Sequence, residues 1–435
     1  MNSGQPAIPV QTDEQPFPKA LHLRLTEVSV NCTGCGLCVR QCGFLQKHGT
    51  PQQLARNYLL QQGSNCTDPF ACHLCGLCTA LCPHQVDPAG LFLALRRAEF
   101  RQGRAEHPEY KGLRRYERLG TSQRFSWHAL PQDCETIFFP GCSLAGSRPE
   151  TTWKTFAHLR QTIPTIGIVL DCCTKPSHDL GDEDYFSAMF GELKTYLLHQ
   201  GINQVLVACP SCERVFSTYA PELTTRMVYE LLNELPLPAA PSITGTVDIH
   251  DPCVARFNRS SQSAVRALLG KKGLQLSEPA QSGKTTLCCG AGGAVSYRYP
   301  ERSAAWQDKH CQQLQTGHLV SYCASCTQVF AARTRSSHVL DLLFEPELTS
   351  AGKAAVAKGP LTYWNRLRLK ARIRKNVAAA VTRERTFSGR PQDASRPRRS
   401  KAMPLLVLRQ LTFIAGWTPL PLLYRKLKAL RNQPV

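Results

Sequence analysis

Eighteen of the twenty-one cysteines in this 435-residue chain fall into two patterns, and each pattern occurs twice. The shorter pattern is C-x2-C-x2-C-x3-C, read first as Cys32, Cys35, Cys38 and Cys42, then as Cys72, Cys75, Cys78 and Cys82. The longer one is a single cysteine, an adjacent pair, and a C-x2-C. It reads Cys142, Cys172, Cys173, Cys209 and Cys212, and again Cys253, Cys288, Cys289, Cys323 and Cys326. A chain that must bring so many thiols together is constrained to place loops around a few shared points. Thiolates at this density, without a secretory signal, imply soft metal centres rather than disulfides.

The spacing of the shorter pattern is that of the bacterial ferredoxin run, in which three close thiolates hold one cubane and the fourth reaches the other cluster. On that rule Cys32, Cys35, Cys38 and Cys82 bind one [4Fe-4S] cubane, and Cys72, Cys75, Cys78 and Cys42 bind a second. Zinc would use four ligands, usually as two C-x2-C pairs well apart, and two full four-cysteine runs fit that poorly. Cys82 is followed by Pro83, as the run expects, whereas Cys42 is followed by Gly43. Gly34 and Gly36 let the backbone approach the cluster. A polar helix over about 51–62 and an amphipathic helix over about 88–100 make this an α-helical ferredoxin module, spanning 25–110 after an N-terminal extension of 1–24.

The longer pattern marks an internal duplication. Segments 138–146 and 248–256, 169–176 and 285–293, and 206–216 and 320–330 align, and each half ends alike at 227–235 and 338–346. The three cysteine elements are separated by 29 and 35 residues in the first half and by 34 and 33 in the second. Each follows a short apolar run of strand character (TIFF, TIGIVL, QVLVA, TVDI, LVSY), with helical stretches such as 185–200 and 303–316 between. Alternating strands and helices predict parallel sheets whose ligands meet at the strand C-terminal ends. Five thiolates, two of them adjacent, exceed what an ordinary cubane takes.

This layout closely resembles the CCG domain, the cysteine-rich domain of heterodisulfide reductase. It is also similar to the iron–sulfur subunits of glycolate oxidase and anaerobic glycerol-3-phosphate dehydrogenase. The resemblance implies an α/β fold: an α-helical ferredoxin domain followed by two duplicated CCG domains with short parallel sheets, at 134–236 and 245–347. It further implies one or two additional [4Fe-4S] clusters, noncubane in the disulfide reductases. Cys142, Cys172, Cys173, Cys209 and Cys212 would hold one. Cys253, Cys288, Cys289, Cys323 and Cys326 would hold the other, which is the candidate reactive centre. The halves differ after their pairs. The second reads CCGAGG, while the first has Thr174 and Lys175, which would crowd a substrate or bring a positive charge to the first centre.

The remaining features carry less. Cys66, Cys134 and Cys311 read as ordinary side chains, and His178 and His250 as hydrogen-bonding residues beside the clusters or proton donors to them. No G-x-G-x-x-G stands between a strand and a helix, so no nucleotide site is expected. The formal net charge of +20 is concentrated at the C-terminus. Residues 352–435 hold twenty bases and two acids, +18, leaving thirty-two bases against thirty acids, +2, elsewhere. A basic helix is expected after 360, then a basic stretch, then an apolar segment at 404–429 broken by Pro419 and Pro421. Apolar surface flanked by Lys and Arg suits an anionic membrane surface or a docking strap for a protein; no recognition module points to nucleic acid. No run of about twenty apolar residues is present to span a membrane. The sequence thus reads as a cytoplasmic, peripherally membrane-bound electron-transfer subunit with a flavoprotein or a membrane cytochrome or quinone protein as partner. Reduction of a disulfide at the CCG centres is one reading, and pure electron carriage from a flavin-dependent dehydrogenase to quinone is the other.

Overall fold

The computed structural model describes residues 18–61 and 66–389. The apolar segment at 404–429 and the basic stretch before it lie outside the described residues.

Short apolar runs become strands, and ten form among the described residues: β1 (Trp127–Leu130), β2 (Thr136–Phe139), β3 (Gly167–Leu170), β4 (Gln204–Val207), β5 (Thr224–Met227), β6 (Gly245–His250), β7 (Leu274–Ser277), β8 (His318–Ser321), β9 (Arg335–His338) and β10 (Val381–Arg383). The inner strands are apolar on both faces because helices cover both: Ile137, Phe138 and Phe139, and Val205, Leu206 and Val207, are all fully buried. In the first sheet the parallel strands run in the order β3-β2-β4-β5, and in the second β7-β6-β8-β9. The two orders are the same, so the duplication read from the cysteines is also a duplication of topology. The chain is α/β, with an all-helical N-terminal region ahead of two short parallel sheets.

That N-terminal region packs three helices, Lys19–Asn31, Pro51–Leu60 and Pro88–Arg101, around Leu25, Ala55 and Leu91. Thr50 caps the second: its hydroxyl accepts from the Gln53 amide at 3.2 Å while Gln53 Oε1 accepts from the Thr50 amide at 2.9 Å. Pro51 then sits at the first helical position, where its missing N–H is no loss. The first helix begins at Lys19, within the segment read as an extension. It buries Leu21, Leu25 and Val28 at helical spacing.

The first sheet has an edge that the second lacks. β1 pairs antiparallel with β3, and β10 pairs antiparallel with β1. β10 and the helix Leu361–Asn376 belong to the basic C-terminal segment, yet both are built into the fold. The helix buries Leu369 and Ile373, and with them Arg366 and Lys370, whose polar ends find carbonyls: Lys370 Nζ donates to Gln123 O at 2.9 Å and Arg366 Nη2 to Gly120 O at 3.1 Å. Arg385 is fully buried and donates to Asp171 at 3.1 Å. Half of the twenty bases in 352–435 therefore lie in described structure, several of them paired with acids distant in sequence.

One buried guanidinium ties the three regions together. Arg96, on the helix Pro88–Arg101, donates to Pro69 O (3.1 Å), Phe70 O (3.2 Å) and Cys72 O (2.6 Å). Its Nη1 donates to Asp179 O and Gly293 O, both at 2.7 Å, one from each sheet's cysteine loops. The two sheets are joined by a second such contact. Arg148 Nε lies 2.6 Å from Asp341, both nearly fully buried, and Thr151 donates to the other carboxylate oxygen at 2.8 Å.

Candidate iron–sulfur centres

Each four-cysteine run begins with a left-handed turn. Gly34 (φ 69°) and Gly36 (φ 76°) shape the first; Leu74 (φ 49°) and Gly76 (φ 69°) take the same positions in the second. A leucine in that conformation is strained, which marks the turn as imposed by its surroundings. Gly36 and Gly76 open the short helices Leu37–Gln41 and Leu77–Leu81, each carrying the third cysteine of its run, with the fourth at the helix end.

The runs do not close on themselves. One cavity is lined by Cys32, Cys35, Cys38, Cys78 and Cys82. Another is lined by Cys42, Cys72, Cys75 and Cys78 together with Phe92 and Trp306. Both linings are mostly apolar. Burial, and after it Cys32, push the Cys38 thiol up to about 11; burial, and after it Cys75, do the same for Cys42. Burial pushes Cys72 to about 12, with Cys42 its strongest charged neighbour. Thiols so crowded and so dry ionise only if a positive centre offsets their charge, which is what an iron–sulfur cluster supplies.

The five-cysteine sets also converge, from loops at the C-terminal ends of the parallel strands. In the first half Cys172 Sγ lies 4.0 Å from Cys142 Sγ and Cys212 Sγ lies 3.4 Å from Cys173 Sγ. A Cβ at Gly141 would meet Cys212 Sγ at 3.2 Å and Cys209 Cβ at 3.1 Å, so only glycine (φ 77°) leaves this cradle open. In the second half Cys326 Sγ lies 3.2 Å from Cys289 Sγ, and Cys253 and Cys288 are hydrogen-bonded neighbours. In each half one thiol is held down to about 6 by its fellows: Cys142 through the hydrogen bond from Cys172, and Cys289 through those from Cys288 and Cys326. These donor sets fit soft iron centres, and the eighteen cysteines form no disulfide.

The surroundings of the two sets differ. Gly290 follows the second pair at φ 87°, and a Cβ there would strike Ser303 O at 2.6 Å. Thr174 occupies the same place in the first half at φ 53°, its hydroxyl buried and unpartnered. Lys175 does not bring net charge to the first centre, because its ammonium is taken by Asp179, which also binds His178 Nδ1 at 2.8 Å. The cation that acts on Cys142 is Arg366, buried on the helix Leu361–Asn376. No cysteine pattern could have revealed it. Beside the pair, burial would raise Asp171, but Arg385 and His128 hold it below the usual carboxylate range; His128 Nε2 lies 3.0 Å away and the Cys172 amide donates at 2.7 Å. Burial lifts nearby Glu117 to about 7, against hydrogen bonds from Ser177. In the second half His250 is fully buried against the thiolates, and burial holds it down to about 4.

The cavity around Cys75 abuts the second five-cysteine set. Cys253 is the strongest charged neighbour of Cys75, and Cys75 acts in turn on Cys288. Leu77, Leu287 and Trp306 pack around Cys253 and Cys288, with Cys42 and Cys75 against them. Arg256 fastens the contact, donating to Cys75 O (3.2 Å), Lys284 O (2.5 Å) and Thr286 O (2.8 Å).

Residues 31–87 match the model of a 4Fe-4S dicluster domain, and residues 247–331 match that of a cysteine-rich domain, the CCG domain. The chain is thus an iron–sulfur protein that joins a dicluster module to a CCG module. Two curated proteins are weakly homologous to it. One is a subunit of the fumarate reductase (CoM/CoB) of Methanothermobacter marburgensis, 21% identical over 282 residues, covering 59% of this chain and 55% of that protein. The other is a subunit of the dihydromethanophenazine:CoB–CoM heterodisulfide reductase of Methanosarcina barkeri, 21% identical over 355 residues, covering 68% of this chain and 86% of that one. The chain therefore spans only about half the length of the first. No helix among the described residues is long and apolar enough to cross a membrane.

Proposed function

We propose that this chain is the electron-transfer subunit of a heterodisulfide-reductase-like complex, in which electrons cross two cubanes to the second five-cysteine centre, where a disulfide is reduced. Cys32, Cys35, Cys38 and Cys82 would hold the first cubane, and Cys72, Cys75, Cys78 and Cys42 the second. Cys253, Cys288, Cys289, Cys323 and Cys326 would hold the reactive centre. Cys142, Cys172, Cys173, Cys209 and Cys212 would hold a further one. Bound clusters would supply one-electron steps and a soft surface for sulfur.

The observation that carries this reading is the juxtaposition of Cys75 with Cys253 and Cys288 in an apolar, water-poor seam. Electron tunnelling falls steeply with distance, so modules whose ligands adjoin form a relay. The protein's part is to exclude water, through Trp306, Leu77 and Leu287, and to fix the spacing, through Arg96 and Arg256. Reduction of a disulfide takes up two electrons and two protons and yields two thiols, so a relay delivering single electrons must be charged twice per turnover. The name of the Methanosarcina barkeri relative supports a disulfide as substrate class. A flavin- or haem-bearing partner would supply the electrons, and the basic segment beyond the described residues would face an anionic membrane surface or that partner.

Anaerobic assay with a reduced viologen and a small disulfide tests this. Cys289→Ser should abolish thiol release while both cubanes stay reducible by EPR. Thiol release at the wild-type rate would show that the second five-cysteine centre is not reactive, leaving electron carriage alone.

A further inference from the structure

The duplicated halves can be compared position by position around their centres, and one place differs in chemistry. Phe139 is opposite Val207 in its sheet and His250 is opposite Ser321 in the other. Val207 and Ser321 each stand two residues before the C-x2-C, and Phe139 and His250 each stand three before the lone cysteine. They are therefore equivalent. Phe139 packs on Phe216 at 5.1 Å, and Phe190 packs on the same ring at 5.0 Å. In the second half Phe330 replaces Phe216, and two histidines take the other places. His250 lies 4.9 Å from Phe330, His310 lies 4.9 Å from it, and the imidazoles are 4.7 Å apart edge to face.

An all-phenylalanine trio thus becomes Phe plus two imidazoles, all fully buried. Neither nitrogen of either ring has a hydrogen-bond partner. Burying such groups unsatisfied is costly, and the first half shows that phenylalanine serves packing at this place without that cost. The imidazoles are therefore explained by something they bind. His250 has one ring nitrogen within 4.8 Å of both Cys289 Sγ and Cys326 Sγ, which are themselves 3.2 Å apart. Three ligand atoms that close, two thiolate and one imidazole, can share a single metal, and imidazole is a recognised ligand for iron in sulfur-rich sites, where it raises the potential.

We propose that His250 is a nitrogen ligand of the second five-cysteine centre, sharing one iron with Cys289 and Cys326. The first centre, with Phe139 in that place, has thiolate ligands only. His310 packs edge to face on the His250 ring, with centroids 4.7 Å apart. The nitrogen ligand gives the second centre the higher potential of the two, so electrons leaving the cubane at Cys75 collect there. This inference rests on the proposed cluster assignment.

The test is pulsed EPR on the whole chain, purified anaerobically with 14N- or 15N-labelled histidine and poised so that the second centre is paramagnetic. The expected result is a strong isotropic nitrogen coupling that changes with the isotope. It should vanish in His250→Phe and persist in His310→Phe. His250→Phe should also move the midpoint potential of that centre to more negative values while the cubane signals stay in place. Phe139 shows that the site accepts phenylalanine, and should that variant still fail to fold, the labelled wild-type chain alone decides. A signal from the second centre with no isotropic coupling, or a coupling lost only in His310→Phe, overturns the assignment. Absence of any signal from that centre, with the cubanes intact, overturns instead the cluster reading on which it rests.

Discussion

Most of the chemistry turns on which thiol faces which. Cys82 closes the 31–87 segment in sequence but lines the cavity of Cys32, Cys35 and Cys38, while Cys42 lines that of Cys72 and Cys75. Cys82→Ala should therefore damage the cluster of the first run and leave the second cluster's EPR signal in place; loss of the second signal alone would contradict the crossing. The expectation of this exchange comes from the spacing of the ferredoxin run. His250 was legible only in part. Counting back three residues from the lone cysteine of each half sets it against Phe139, in agreement with the strand register, but its place beside Cys289 and Cys326 comes only from the fold. Arg366 was not legible at all, since nothing local distinguishes a base that is buried beside Cys142 from its exposed neighbours on the same helix.

At the scale of elements, the parallel strands were readable because burial on both faces leaves continuous apolar runs. β1 and β10 were not, and the basic helix expected after 360 forms as Leu361–Asn376 but is buried in the fold, which its sequence did not show. The helix carries six Lys and Arg residues, which in sequence read as a solvated or docking face. Their partners, among them Gly120 O, Gln123 O and Glu384, come from elsewhere in the fold. Such long-range satisfaction is invisible to periodicity. Arg96 is the extreme case, with five carbonyls from three regions around one guanidinium. Arg96→Met would keep the volume but leave those carbonyls unpartnered, at a cost of about 3 kcal/mol or more. A markedly lower thermal midpoint should result, together with slower electron exchange between the cubanes and the second centre. An unchanged midpoint would show that Arg96 does not fasten the modules.

For the whole molecule, buried histidines shape the response to acid. His318, half-buried at the start of β8 and bonded to Ser337 at 2.8 Å, is the simplest to isolate. Burial, and then Arg335, hold it down to about 4, against an ordinary value of 6.5. The unfolded chain takes up this proton first, so its contribution to stability is complete above pH 6.5 and is lost as the pH falls toward 4. His318→Gln should flatten that acid arm in thermal unfolding; an unchanged slope would place the proton uptake elsewhere.

On the proposed function, a helical module passes single electrons into one half of a duplicated α/β body. Freeze-quench EPR of a single turnover tests it most directly, with the fully reduced protein mixed anaerobically with a small disulfide. Expected are about sixteen irons per chain, cubane signals that decay together as the disulfide is consumed, and two thiols formed for every two electrons withdrawn. Cubanes that stay reduced beside unreacted disulfide, in a chain holding about eight irons, would contradict it.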